Sequence, residues 1–133
     1  MIGRLQTNKV KFAVKLFDFI HSVDSERLAK KISDEQSKIQ RNIKIFIQVN
    51  IGNEMQKNGI EVENLENFYG KCNNEYKLDI IGLMCLPPMD KDSSIYFSKM
   101  HELVKKINLK ELSMGMSNDY TEALKHKSTF LRI

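Results

Sequence analysis

The chain of 133 residues is long enough for one domain, and its 41% hydrophobic residues are enough to build a buried core. The formal net charge of +4 comes from lysines scattered between acidic residues, a pattern typical of solvated helix surfaces. Because the basic residues do not cluster on one face with aromatic support, we expect no nucleic-acid partner.

The cysteines, histidines and hydropathy argue against several further classes. Cys72 and Cys85 lie in apolar segments without CxxC spacing, and His21, His101 and His126 are isolated, so a zinc site is not predicted. We expect two buried, inert thiols in a reducing cytoplasm. No apolar run reaches the roughly 18 residues of a membrane span, and the N-terminus lacks the apolar segment of a signal peptide, so no membrane partner is expected.

The N-terminal part of the chain predicts a short apolar piece and a helix. Residues 1–5 form the apolar piece, and a polar turn at residues 6–9 follows it. An amphipathic stretch over residues 9–16 then places Phe12, Ala13 and Leu16 on one side, which predicts a helix that buries these three side chains.

A strand and a longer helix come next. Residues 17–22 predict the strand, and Asp24 or Ser25 is the expected cap of the helix that follows. Polar and charged residues cover most of this helix, so its buried face is assigned to the apolar residues that recur at near-helical spacing: Leu28, Ile32 and Ile39.

The middle of the chain predicts two buried strands with a helix between them. Residues 43–50 are β-branched and almost continuously apolar, which is typical of a parallel strand covered on both faces. Gly52 ends the run, and a loop containing residues 56–59 leads to the helix. Residues 78–86 predict the second strand, which stops at the two prolines 87 and 88 because proline cannot donate to a ladder. The helix has an apolar stripe that we interpret as core: Val62, Leu65, Phe68, Tyr69 and Cys72.

The last part of the chain repeats the pattern. A helix begins near Asp92 or Ser93, and residues 111–116 and 128–133 predict strands that flank a short helix over residues 120–127. Strands that alternate with helices are the signature of βα units, so we predict one α/β domain with a parallel sheet. The face of the longer helix toward this sheet is apolar: Phe97, Met100, Leu103, Val104 and Ile107.

The segment at residues 113–119 changes abruptly from apolar to polar before the last helix. Ser117, Asn118 and Asp119 each suit a helix cap, where free backbone N–H groups and the helix dipole favour an anion. The turn is therefore either a phosphate site or an ordinary strand-to-helix turn whose side chains only cap the helix. Polar residues follow other strands as well, and in parallel α/β folds the ligand site lies at that carboxyl edge.

Blocks in the same order along the whole chain resemble the pyridoxal phosphate homeostasis proteins, which are similar to the barrel domain of alanine racemase. The blocks are IGRLQTNK at residues 2–9, HSVD at 21–24, QVN at 48–50 with KNG at 57–59, IGLM at 81–84, LSMGMSND at 112–119 and STFLRI at 128–133. The resemblance implies a parallel (β/α)8 barrel of the TIM type that holds pyridoxal 5′-phosphate at its top face, as a carrier without established catalysis. Such a barrel needs about 250 residues. The resemblance therefore also implies that residues 1–133 are an incomplete barrel domain that lacks roughly the first two strands and stops inside the eighth.

The resemblance also assigns contacts with the cofactor. Ser113 and Ser117 match serines around the phosphate, with the backbone of Met116 beside them, and Arg132 matches an arginine that faces the pyridine nitrogen. An arginine there stays cationic and keeps the ring nitrogen unprotonated, which suits binding or racemase-like roles better than decarboxylation. Further residues that could line the pocket are Gln6, Asn8, His21, Asn50 and Met84.

The Schiff-base lysine of the family has no match here, because it belongs to the first strand and none of the lysines in this chain fits its motif. Without the covalent imine, only phosphate and ring contacts remain. The assigned residues also have structural alternatives: Arg132 as a strand-end residue paired with an acid, His21 as a hydrogen-bonded barrel residue, the amides of residues 6, 8 and 50 as partners of turn backbone, and methionines 84, 114 and 116 as core.

Two rival functions remain open at this point. An amino-acid racemase or decarboxylase would use the same cofactor but would need a second acid/base residue opposite the lysine. A non-catalytic interaction module would bind no cofactor. In either case, the missing barrel wall exposes apolar strand edges, so dimerisation or domain swapping is expected.

Overall fold

The computed structural model describes residues 1–55, 58–89 and 91–133, so Gln56 and Lys57 of the predicted loop lie outside the described residues. Within them the sheet has five strands in one parallel arrangement, paired in chain order. The strands are β1 (Phe19–Val23), β2 (Lys44–Val49), β3 (Asp79–Cys85), β4 (Glu111–Met116) and β5 (Phe130–Arg132).

Helices connect these strands, which confirms the predicted α/β class. The described helices are α1 (Val10–Leu16), α2 (Glu26–Lys38), α3 (Leu65–Asn74), α4 (Ser93–Lys106) and α5 (Tyr120–Lys125), with short 3-10 turns at Thr7–Lys9 and Val62–Asn64. Not one helix in the described ranges combines the length and the apolar character needed to span a lipid bilayer.

The sheet is strongly curled and forms an open part of a (β/α) barrel, as predicted. Side chains from the first and last strands meet across the concave face, where the ring centroids of Phe19 and Phe130 lie 5.4 Å apart. On the same face, His21 of β1 lies against the ring of Phe46 in β2. A parallel sheet that curls until side chains of different strands share one interior layer forms the wall of a barrel.

The two faces of the sheet carry different side chains because successive residues of a strand point to opposite sides. The convex face packs against the helices and contributes most of one continuous hydrophobic core. Residues of this core that are buried on the convex side include Ile20, Ile45, Ile47, Leu83 and Leu112.

The N-terminal residues are not a regular strand, although they run along the outer edge of β1. The Met1 ammonium donates to the carbonyl of Phe19 at 2.6 Å, and the backbone N–H of His21 donates to the carbonyl of Met1 at 2.9 Å. The apolar piece predicted at residues 1–5 is therefore a segment that runs beside β1, with no strand assigned to it.

The predicted buried face of α1 is wrong for two of its three residues. Ala13 is buried as expected, but Phe12 is 58% exposed and Leu16 is 74% exposed. The helix instead buries Val10, Ala13 and Val14, which have the i, i+3, i+4 spacing of one helix face. Since α1 packs against α2, the position of that neighbour decides which of two comparably apolar faces is covered.

The apolar stripe of α3 is shorter than predicted. Leu65, Phe68 and Cys72 are buried, whereas Val62 is 39% exposed. Val62 lies in the 3-10 turn before α3, so it does not follow the angular period of the helix.

Helix capping resolves the open alternatives at two helix starts. The Ser25 side chain accepts a hydrogen bond from the Leu28 N–H at 3.2 Å and caps α2, while Asp24 instead accepts one from the Gly59 N–H at 3.1 Å. Asp92 occupies the cap position of α4. Asp24 therefore joins two loops at the carboxyl edge of the sheet rather than stabilising a helix end.

Candidate functional site

A cleft of about 590 Å³ lies at the carboxyl ends of β3, β4 and β5. This volume is within the usual range of small-molecule sites. We call it the rim cleft; it is lined by Leu86, Pro87, Pro88, Met89, Lys91, Ser93, Gly115, Met116, Ser117, Asn118, Asp119 and Arg132.

The rim cleft brings together three of the four residues that the sequence assigns to cofactor contact. Met116 and Arg132 are register partners in the neighbouring strands β4 and β5, and Ser117 begins the turn after β4. Met116 is 48% exposed, and Ser117 is also exposed at the cleft. Parallel strands end at the same edge of a sheet, which is why residues distant in sequence converge here.

The backbone amide of Met116 already has a partner. The Asp119 side chain accepts a hydrogen bond from the Met116 N–H at 2.8 Å, and the Asp119 N–H donates to the Met116 carbonyl at 3.1 Å. Asp119 occupies the cap position of α5 but makes no side-chain cap bond, so the predicted cap is corrected to a closed turn. A phosphate that binds the Met116 amide has to displace the Asp119 carboxylate from it.

Arg132 is a buried cation in the wall of the rim cleft. Only 7% of its surface is exposed, its Nη1 donates to Ser113 Oγ at 2.8 Å, and its Nη2 donates to the carbonyl of Cys85 at 2.8 Å. None of the ion pairs among the described residues includes Arg132, so the alternative of a strand-end arginine paired with an acid is not what the structure shows. Burial lowers the pKa of the Arg132 guanidinium, but arginine titrates so far above neutrality that the group stays cationic.

Ser113 lies beneath the rim cleft and does not line it. The residue is fully buried, and its Oγ is 2.7 Å from His21 Nδ1 as well as 2.8 Å from Arg132 Nη1. The structure therefore does not place Ser113 beside the turn of Ser117, where the sequence predicted a shared phosphate site. The physical reason is position along the strand, because Ser113 lies inside β4 in register with Met84 and Phe130, three residues before the strand ends at Met116.

His21 is held below Ser113 by aromatic contacts. Its ring stacks on Phe46 with centroids 4.3 Å apart and meets the edge of Phe130 at 5.5 Å. Burial lowers the pKa of His21 to about 4, and the positive charges of the Met1 ammonium and Arg132 act in the same direction. The imidazole is therefore neutral at pH 7, as a hydrogen-bonded barrel residue.

This neutral histidine predicts a pH-dependent stability. Between pH 6.5 and about 4 the unfolded chain binds a proton at His21 and the folded chain does not, so the free energy of unfolding falls as the pH falls through this window. The pKa difference corresponds to a loss on the order of 2–3 kcal/mol. Urea unfolding at a series of pH values measures it, with His21→Gln expected to reduce the slope and His126→Gln to retain it. An unchanged slope in His21→Gln would show that other groups cause the acid sensitivity.

The other predicted lining residues lie away from the rim cleft. Asn50 exchanges hydrogen bonds with the backbone of Glu54 at 2.7 and 3.1 Å, and it therefore closes a turn. Gln6 is exposed before the first 3-10 turn, and Asn8 lines a surface groove beside α2. Met84 is 1% exposed and fills the interior of the barrel wall. The structural alternatives raised for Asn50 and Met84, a partner of turn backbone and a core residue, describe their positions.

Several lining residues of the rim cleft were missed in the sequence. Lys91 brings a positive charge, and Met89 is 86% exposed beside it. The two prolines before them were interpreted only as the end of a strand. Their position directly after β3 was the available signal, because the loops that follow parallel strands build the ligand site.

Both thiols are buried and unpaired, as predicted. Burial raises the pKa of Cys72 and of Cys85 to about 12, so neither is a thiolate at neutral pH. Cys85 contributes its carbonyl, not its sulfur, to the contacts of Arg132.

Comparison with known proteins relates this chain to a family. The family model described as "Alanine racemase, N-terminal domain" matches residues 1–133. The pyridoxal phosphate homeostasis protein of Aquifex aeolicus is 37% identical over 141 residues, which cover 99% of this chain and 62% of that protein. The protein of the same name from Vibrio alginolyticus is 33% identical over 146 residues, covering 99% and 60%. The chain thus spans about six-tenths of the length of these curated relatives.

Solved structures agree with this assignment. PipY of Synechococcus elongatus, solved with pyridoxal phosphate bound, superposes with a TM-score of 0.85 at 31% identity over 98% of this chain and 65% of that chain. The arginine decarboxylase of Paramecium bursaria Chlorella virus shares the fold alone, with a TM-score of 0.65 at 11% identity over 96% and 41%. Because the family model covers all of the described strands and helices, the chain belongs to the alanine racemase N-terminal domain family.

Proposed function

We propose that this chain binds pyridoxal 5′-phosphate in the rim cleft, and that it acts as the cofactor-binding part of a pyridoxal phosphate homeostasis protein. The observation that carries the proposal is Arg132, a buried guanidinium without a carboxylate partner among the described residues, at the wall of a ligand-sized cleft. The acceptors of this buried cation among the described residues are two oxygens, Ser113 Oγ and the Cys85 carbonyl, and the Asp119 charge acts on it from beyond ion-pair distance, so an electron-rich ligand would stabilise it further. The name of the Aquifex aeolicus relative and the cofactor in PipY support pyridoxal phosphate as that group.

Each predicted contact then has a chemical role. The Arg132 guanidinium would donate to the pyridine nitrogen without protonating it, which would weaken the ring as an electron sink. The Ser117 hydroxyl would donate to the phosphate, and the charge of Lys91 would favour the dianion. When bound, the cofactor supplies an aldehyde and an electron-withdrawing ring. The Met116 amide joins the phosphate contacts only when Asp119 releases it.

A carrier role fits the cleft better than turnover does. A racemase or decarboxylase positions acid/base groups on the two faces of its substrate. Among the described lining residues, the ionisable side chains besides Arg132 are Lys91 and Asp119, and the Asp119 carboxylate already accepts a hydrogen bond from the Met116 amide. Racemisation of alanine by the cofactor-loaded protein well above the rate of free cofactor would contradict the carrier role.

The binding proposal is tested with a ligand that cannot react with lysines. Pyridoxine 5′-phosphate retains the ring and the phosphate but has an alcohol in place of the aldehyde, so surface imines do not form. We expect saturable binding of one equivalent by calorimetry, at least tenfold weaker binding of pyridoxine, and competition by inorganic phosphate. Equal affinity for pyridoxine, or no saturable binding, would exclude the proposed site.

We also propose that residues 1–133 form one domain whose N-terminal side associates with a second copy. One continuous hydrophobic core supports the single domain.

Four apolar side chains beside the outer edge of β1 are exposed: Ile2 by 54%, Phe12 by 58%, Leu16 by 74% and Phe17 by 37%. Exposed apolar surface next to a strand edge favours association with a second copy. Light scattering after gel filtration should give a dimer that Phe12→Ser converts to a monomer. A wild-type protein that stays monomeric at about 100 μM, which corresponds to a dimer weaker than about −5.5 kcal/mol, would contradict the proposed dimer. The free, buried thiols support a reducing compartment, and we propose the cytoplasm.

A further inference from the structure

We propose that Ser113 and His21 are positioning residues that hold the Arg132 guanidinium in place at the rim cleft. The inference rests on the proposed function and deepens it, because it gives Ser113 a role other than the phosphate contact implied by resemblance. The two residues act on the ligand only through Arg132, since neither of them lines the cleft.

Two separate hydrogen bonds determine the plane of the guanidinium. Nη1 of Arg132 donates to Ser113 Oγ at 2.8 Å, and Nη2 donates to the Cys85 carbonyl at 2.8 Å. A planar guanidinium held at two nitrogens keeps its remaining N–H groups in one direction. Since Arg132 also lines the rim cleft, those donors are available to a ligand there.

The direction of the hydrogen bonds follows from proton counting. A guanidinium can only donate, so the Ser113 oxygen accepts from Arg132. We assign the single hydroxyl proton of Ser113 to the contact with His21 Nδ1, 2.7 Å away, which corresponds to a neutral ring that carries its proton on Nε2; the opposite tautomer would make Ser113 the acceptor. A protonated His21 would offer Ser113 a second donor and leave its hydroxyl proton without this acceptor.

The far end of this chain of hydrogen bonds is rigid. His21 is 5% exposed, and its ring is stacked on Phe46 and held from the side by Phe130. Phe46 is itself fully buried in β2, so the ring on which the imidazole stacks is part of a close-packed interior. The orientation of Arg132 is thus connected through Ser113 to a packed aromatic cluster.

Ser128 provides a matched control in the neighbouring turn. It is also a buried serine, but its Oγ donates to the Met114 carbonyl at 2.6 Å, and the other acceptors near it are the backbone carbonyls of Leu112 and Phe130. Ser128→Ala removes a buried hydroxyl of equal size without touching Arg132. It separates a general loss of stability from a specific effect on the guanidinium.

Binding of pyridoxine 5′-phosphate and of inorganic phosphate tests the inference. We expect Ser113→Ala and His21→Leu each to weaken binding of pyridoxine 5′-phosphate about tenfold, the effect of one hydrogen bond to a charged group. The double variant should lose no more affinity for pyridoxine 5′-phosphate than the more strongly affected single variant, because both residues act through one chain of contacts. Inorganic phosphate affinity should stay unchanged, as should both affinities in Ser128→Ala. Wild-type affinity in Ser113→Ala, or an equal loss for both ligands, would overturn the positioning role.

A measurement on the unliganded chain separates this inference from the proposed function. Nitrogen-15 NMR should show His21 with a protonated Nε2 and a bare Nδ1, and restricted rotation of the Arg132 guanidinium that Ser113→Ala releases. His21→Gln, which retains an acceptor for the hydroxyl, should preserve the restriction. Free rotation in the wild type overturns the inference even if the ligand binds; restricted rotation without any ligand binding would instead exclude the proposed function. His21→Leu leaves Ser113 in place and provides the test if Ser113→Ala does not fold.

Discussion

Replacing Arg132 by methionine is expected to weaken binding of pyridoxine 5′-phosphate by one to two orders of magnitude. The substitution keeps the length and apolar stem of the side chain but removes the cation that faces the rim cleft. It also leaves the Ser113 hydroxyl and the Cys85 carbonyl without their donor. Calorimetric titration of the purified variant measures the loss.

Two control variants make this result specific. Arg27→Met removes an exposed arginine of α2 at a distant surface groove, and its affinity should equal that of the wild type. Arg132→Lys keeps a positive charge but cannot reach Ser113 and Cys85 from two nitrogens, so its affinity should be intermediate. Wild-type binding by Arg132→Met would show that the buried cation belongs to the fold and not to a ligand site.

Replacing Gly115 by alanine is expected to destabilise the fold by about 2–4 kcal/mol, and to abolish ligand binding with it. Gly115 has a φ of +101°, a conformation that disfavours any residue with a Cβ. An added Cβ would lie 2.7 Å from the Cβ of Ala123 and 3.0 Å from Cδ2 of Leu131, so α5 and the turn of Ser117 would have to move. Urea unfolding and the same calorimetric titration measure both effects.

Gly70→Ala is the matched control for that prediction. Gly70 lies inside α3, and a Cβ added there meets no atom within 4 Å. Alanine is the better helix former, so this variant should gain roughly 0.5–1 kcal/mol. A similar loss of unfolding free energy in Gly115→Ala and Gly70→Ala would mean that the close contact and the positive φ at Gly115 do not by themselves penalise a Cβ.

Secondary structure was largely predictable because its signals are local. The predicted strand over residues 111–116 matches β4 at both ends, and β3 stops at Cys85, one residue before the predicted end at Leu86 and just ahead of the two prolines. The convergence of Met116, Ser117 and Arg132 was also predictable, since parallel strands share one polarity. Their contact with a cofactor remains a prediction that the binding experiments test.

The errors arose where two local solutions were equally good. The apolar residues of α1 allow a face with Phe12 and Leu16 or a face with Val10 and Val14, and only the neighbouring α2 selects the second. In the same way, the sequence around Asp119 permits either a helix cap or a bond back to the Met116 amide, and the closed turn uses the second.

The pattern of apolar and polar residues alone thus determined the α/β class, the strand positions and the edge where polar groups collect, because each depends on chain-local periodicity. The tertiary structure decided which polar groups face the cleft and which face each other. Ser113 and Arg132 are 19 residues apart and His21 is 92 residues from Ser113, yet their hydrogen bonds form because β4 and β5 pair and the curled sheet brings β1 opposite β4. Periodicity along one chain contains no information on distances across a barrel, and those distances set the role of each buried polar side chain.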